Sequence, residues 1–161
     1  MTIKQVCELG SFKEGIDQPV TDYKRVAVAI DNSYKAAKVL RRALLMSKNC
    51  SILYIIHVMQ TMLPYAMKST ISMEPEYKDI LQNESTALFE VAKKKADEAK
   101  LNYETVLLEG DPAEEMLKFL KENKIELIIV GSKDKIGSAK NLGSVSSKIA
   151  AEATCSALIE R

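Results

Sequence analysis

The chain is 161 residues long, 47% apolar and 28% charged, with a formal net charge of +1. That length and apolar content suit one globular domain with a sizeable core, and the balanced charge gives no field to draw a nucleic acid or an acidic membrane surface. There is no run of eighteen apolar residues to span a membrane, and a single histidine, His57, with three cysteines lacking paired spacing offers no zinc site.

Residues 1–21 are mixed and punctuated by Gly10, Gly15 and Pro19, with no apolar h-region of a secretory signal. They are expected to form an extension, either a short pairing arm or a partly ordered tail, ahead of one domain over residues 22–161. The cysteine usage fits a reducing cytoplasm. Arg25–Asp31, RVAVAID, is an apolar run ending in a polar turn and predicts the first strand. Asn32 and Ser33 can cap the helix whose inner face is Ala36, Val39, Leu40, Ala43 and Leu44. Ser51–Val58, SILYIIHV, is a second buried strand.

Between Thr61 and Asn83, Pro64 and Pro75 interrupt a stretch holding Met62, Met67 and Met73. Such methionines suit either an adaptable contact surface or a loosely packed cap. A helix is expected from about Glu84 to Lys100, with Leu88, Val91, Ala92, Ala96 and Ala99 inward. Glu104–Gly110 is a third strand. Asp111-Pro112-Ala113-Glu114 then has the signature of a helix start: an acidic cap, proline in the first turn, and a glutamate able to reach back. Its inner face is Met116, Leu117 and Leu120.

Ile125–Val130 is a fourth strand, apolar at five of six positions. A loop with Gly131, Gly137 and Gly143 follows, and Ser144 opens a helix with Val145, Ile149 and Ala153 on one face. A strand, a glycine-bearing loop and a helix N-terminus together can hold an anion on free N–H groups. Cys155–Glu160 closes the chain as a short fifth strand. Strictly alternating strands and helices demand an α/β fold with an open parallel sheet, right-handed crossovers and helices on both faces.

Several chemistries are excluded. The first strand–helix turn has no glycine, so the dinucleotide fingerprint is absent. GSKDKIGSAK is a residue too long between glycines and lacks the lysine of a phosphate loop. His57 has no nucleophile elbow to serve and is expected to be a packing residue. Asp31, at a strand's carboxyl end, can accept from a ribose hydroxyl or an adenine amino group, or cap the next helix. Lys133, Lys135 and Lys140 can neutralise a triphosphate or simply be solvated.

These residues resemble the universal stress protein family, whose ATP-binding members carry Gly-x2-Gly-x9-Gly-[Ser/Thr] after the fourth strand. Gly131 matches its first glycine and Gly143-Ser144, followed by Val145, its closing pair. Asp31 and Ser33 match the family's first turn, His57 and Val58 the end of its second strand, and Gly110 and Pro112 its third turn. Asp134 replaces the second glycine, and the loop is one residue shorter. At ~5 Å and an effective dielectric near 20, Asp134 would oppose a phosphate charge by about 3 kcal/mol, unless the carboxylate turns away or binds magnesium.

The resemblance implies a Rossmann-like sheet in the order 3-2-1-4-5, whose switch point lies between strands one and four. It implies an adenine-nucleotide site, ATP with or without magnesium, built from Asp31, Ser33, Val58, Gly131, Lys133, Gly137, Gly143, Ser144 and Val145. It further implies a regulatory homodimer paired through the last strand, with no robust catalysis; slow ATP hydrolysis ranks last because no general base is positioned. The alternative is a decayed site in a dimeric interaction module.

Overall fold

The computed structural model describes residues 22–60, 75–132 and 142–161. Five strands alternate with four helices. They are β1 (Arg25–Ala29), α1 (Ala36–Met46), β2 (Ile52–Met59), α2 (Pro75–Glu98), β3 (Tyr103–Glu109), α3 (Pro112–Glu122), β4 (Leu127–Gly131), α4 (Ser144–Glu152) and β5 (Ser156–Glu160). The strands form one parallel sheet in the order β3-β2-β1-β4-β5, the order the resemblance implied.

The alternation of side chains along each strand builds two cores. Val26, Val28, Leu53, Ile55 and Ile129 face α1 and α2, meeting Val39, Ala43, Phe89 and Ala96. Ala27, Ile56, Ile128 and Val130 face α3 and α4, meeting Met116, Leu120 and Ile149. The central strands β1, β2 and β4 are buried on both faces, whereas β3 and β5 are half-exposed because each has one strand neighbour among the described residues. Burying one side chain such as Ile129, fully enclosed here, contributes about 1.5–3 kcal/mol.

Two helix starts differ from the sequence-based expectation. α2 begins at Pro75, not near Glu84. Proline breaks a helix only from within; at the first helical position its missing N–H would have had no partner. Within α2, Val91 was expected inward but is 62% exposed, and Ala99 is exposed beyond the helix end. Ala92 and Ala96 are buried as expected, and Ser85 and Phe89 complete the buried face. Ser85 tolerates burial because its hydroxyl donates to the Leu81 carbonyl at 2.7 Å.

The second difference is in the β1–α1 turn. Asn32 and Ser33 do not cap α1, which starts at Ala36 without any side-chain cap. Asp31 Oδ1 accepts from Ser33 N at 3.0 Å and from Ser33 Oγ, an Asx turn that competes with the cap and delays the helix. Residues 1–21, 61–74 and 133–141 lie outside the described residues, and with them the N-terminal extension, the methionine-bearing stretch, Lys133, Asp134 and Gly137.

At the amino ends of the strands the polar groups are tied down. Glu126 Oε2 accepts from Lys24 N at 2.5 Å. Arg25 donates to Tyr54 Oη at 2.8 Å and to the Asn123 carbonyl at 2.7 Å. The carboxyl ends are where the sheet opens.

Candidate functional site

A cavity of about 770 Å3 lies at the carboxyl ends of the strands, at the switch point between β1 and β4. Its walls come from turns that the sequence shapes locally. On one side is the β1–α1 turn with Asp31, Ser33, Tyr34 and Lys35. With Oδ1 engaged by Ser33, Asp31 keeps its other oxygen without a partner among the described residues.

Gly131 ends β4 and also lines the cavity. A Cβ there would lie 3.0 Å from Val39 Cγ2 and would press that methyl aside by a few tenths of an ångström, so glycine eases the close approach of α1 to the sheet. Across from it, Gly143, Ser144 and Val145 begin α4. Among the described residues no side chain caps this helix, and no acidic residue occupies its first turn. Its leading N–H groups, which have no partner inside the helix, therefore keep the positive end of the macrodipole exposed to an anion.

The end of β2 supplies His57 and Val58. His57 Nδ1 lies 2.9 Å from the Ile30 carbonyl, so Nδ1 carries the proton and donates. The ring also meets Phe89 edge-on at 6.3 Å. This is a satisfied imidazole in a packing position.

The start of α3 closes the far wall with Asp111, Pro112 and Met116. Gly110, at φ +139°, allows the reversal that brings Asp111 into place. Asp111 Oδ1 accepts from Ala113 N at 3.1 Å and from Glu114 N at 3.0 Å, the expected cap. Glu114 does not complete the box; its carboxylate pairs with Lys148 of α4, whose ammonium is held above its usual range chiefly by that bond.

Thus Asp31, Ser33, Val58, Gly131, Gly143, Ser144 and Val145 share one cavity. Tyr34, Lys35 and Met116 line it too, and sequence reasoning missed them as site residues. Met116 looked like ordinary core, and Tyr34 and Lys35 carried no signal beyond following Asp31. The thiols of Cys50 and Cys155 are outside the cavity lining, and burial pushes both up, which makes them poor nucleophiles. Among the described residues no group of three acidic, cysteine or histidine side chains could hold a metal ion, and no helix is long and apolar enough to cross a membrane.

The model of the universal stress protein family matches residues 22–161. Universal stress protein YxiE of Bacillus subtilis is 34% identical over 147 residues, covering 86% of this chain and 99% of that protein. A solved universal stress protein in complex with cAMP has a TM-score of 0.68 at 22% identity, covering 88% of this chain and 99% of that one. A universal stress protein family protein from Arabidopsis thaliana with AMP bound has a TM-score of 0.60 at 18% identity, covering 84% and 90%. At those identities the two solved structures show the shared fold.

Proposed function

The chain belongs to the universal stress protein family, and from that premise we propose that it is an adenine-nucleotide-binding regulatory module without robust catalysis. One observation carries the proposal: a single cavity holds both the Asp31 carboxylate and the uncapped start of α4. Solved proteins of the same fold bound to cAMP and AMP support it. In this reading Asp31 accepts from ribose or the adenine amino group through its second oxygen. Val58 and Val145 give apolar walls, and the N–H groups at Ser144 receive phosphate. Lys133 and Gly137 belong to the connecting loop, and magnesium enters only with the nucleotide. His57 is spent on the Ile30 carbonyl, which supports binding over turnover. The cysteine usage favours a cytoplasmic setting.

Calorimetry with ATP, AMP, cAMP and adenosine tests this. Asp31→Ala is expected to weaken all four about tenfold to a hundredfold, the worth of one hydrogen bond to a charged group. Absence of any binding at millimolar ligand would replace this reading with the second one, a domain acting through protein contacts alone. Asp134 in place of the family's second glycine, and the loop one residue shorter, favour that second reading.

The module is further proposed to pair through β5. Ser156 N donates to the Glu126 carbonyl and the Glu160 carbonyl accepts from Ser132 N. Residues 156, 158 and 160 therefore bond toward β4, and Ala157 and Ile159 turn their N–H and C=O outward, an edge left open among the described residues. Ile159→Pro removes an outward donor while sparing the β4 ladder. Sedimentation should show a wild-type dimer and a largely monomeric Ile159→Pro; a wild-type monomer at high micromolar concentration would end the proposal.

A further inference from the structure

Among the described residues four serines are buried. Ser85 and Ser146 donate to the carbonyls of Leu81 and Gly143, and Ser47 lies outside the cavity lining. Ser132 differs from all three. It lines the cavity at only 9% exposure, and its hydroxyl has no partner among the described residues. Its backbone is fixed on both sides: the N–H donates to the Glu160 carbonyl at 2.9 Å, and the carbonyl accepts from the Lys35 ammonium at 3.4 Å. Whatever enters the cavity there meets a firmly placed hydroxyl able both to donate and to accept.

The neighbour of Ser132 at the sheet end is Asp31. Val28 of β1 pairs with Ile129 of β4, and three residues further along each strand stand Asp31 and Ser132. Val28, Ile30 and Ile129 turn toward α1, as a Cβ on Gly131 would, so alternation sets Asp31 and Ser132 together on the α3–α4 side. The uncapped start of α4 lies on that side too. We infer that Asp31 and Ser132 together read the vicinal 2′- and 3′-hydroxyls of a ribose, an assignment that rests on the nucleotide reading above. A carboxylate only accepts, whereas a hydroxyl donates and accepts. One ribose hydroxyl donates to the second Asp31 oxygen, and its neighbour exchanges a bond with Ser132 Oγ. The cavity then selects ribonucleotides over deoxyribonucleotides, since a missing hydroxyl leaves Asp31 or Ser132 unmet.

Calorimetry on wild type and Ser132→Ala, each with ATP, 2′-deoxy-ATP and 3′-deoxy-ATP, tests the assignment. Wild type should bind the form lacking the hydroxyl on Asp31 about tenfold to a hundredfold more weakly than ATP. The form lacking the hydroxyl on Ser132 should lose about twofold to tenfold, the range of a neutral hydrogen bond. Ser132→Ala should bind ATP weaker by that same smaller factor and no longer distinguish ATP from the second form. Its preference over the first form should persist. Because no described residue holds the hydroxyl, the urea midpoint of Ser132→Ala should be no lower than that of wild type. A lower midpoint, or equal losses for all three ligands, would overturn the assignment, since Ser132 would then serve the fold alone. Unchanged ATP affinity in Ser132→Ala, or equal wild-type affinity for ATP and both deoxy forms, would overturn it while leaving the nucleotide reading intact. A wild type that binds no nucleotide removes both.

Discussion

Two helices, α3 and α4, begin at the same end of the sheet and face the same cavity, but they treat their first turns in opposite ways. α3 spends its donors on the protein. Asp111 takes the N–H groups of Ala113 and Glu114, Pro112 has no N–H to satisfy, and Glu114 and Glu115 offset the dipole. α4 has Gly143 where α3 has Asp111, with neither a side-chain cap nor an acidic first turn. Isolated helices gain stability from caps, so the bare start of α4 is a sacrifice of stability at one site. In the nucleotide reading proposed above, the difference separates a helix start that holds the fold from one left to receive a phosphate.

The sharpest way to break that contrast is to give α4 the cap of α3. Gly143 sits at φ −65° and ψ 164°, a conformation open to any residue, so Gly143→Asp can adopt cap geometry. Its carboxylate would occupy the first-turn N–H groups and repel phosphate. At ~5 Å that repulsion is about 3 kcal/mol at an effective dielectric near 20, roughly a hundredfold loss of ATP affinity. Adenosine should be little affected, and the fold should gain a few tenths of a kcal/mol. Unaltered ATP affinity, measured by calorimetry, would place phosphate elsewhere.

The converse change acts on stability. Asp111→Ala strips α3 of its cap and should cost about 1 kcal/mol in urea melts, while Asp111→Asn, an equally good cap, should retain most of that. A loss near zero for Asp111→Ala would mean that Pro112 and the acidic first turn suffice to start the helix.

How this contrast could be foreseen differs between the two helices. The α3 cap was legible because aspartate, proline and glutamate at successive positions state one local geometry, and local geometry is what short sequence patterns encode. The sheet order and the meeting of Asp31 with Gly131 were legible too, the first through the family resemblance and the second through the rule for switch points. The β1–α1 turn was not. Asn32 and Ser33 are good caps, but Asp31 claims Ser33 first, and nothing in the pattern ranks the two bonds. α2 hid its start because Pro75 has opposite meanings inside and at the head of a helix. Val91 was assigned inward on its helical spacing from Leu88, and Ser85, which has the right spacing from Phe89 but is polar, took its buried place by pairing with its own helix. Lys35 escaped notice because a lysine ahead of a helix looks solvated until the β4 end is set beside it.

The smallest expected effect concerns the one ion pair that joins the two helices, Lys148 of α4 with Glu114 of α3. Glu114 has two roles there: it favours its own helix dipole, and it is the main reason the Lys148 ammonium is held above its usual range. A cation whose folded pKa is raised adds stability that is fully present below the unfolded value, near 10.5. That contribution is lost as pH rises through the higher folded value. The dipole contribution of Glu114 does not depend on the Lys148 proton. The difference in urea midpoint between wild type and Glu114→Gln should therefore narrow above that pH without closing. Contributions from groups common to both proteins cancel in the difference. Because the pair is partly solvated, with side chains 33% and 61% exposed, the change should be small and should shrink further in high salt. A gap of constant width through the alkaline range would show that Glu114 serves only the start of α3, and that the two helix ends are not joined electrostatically.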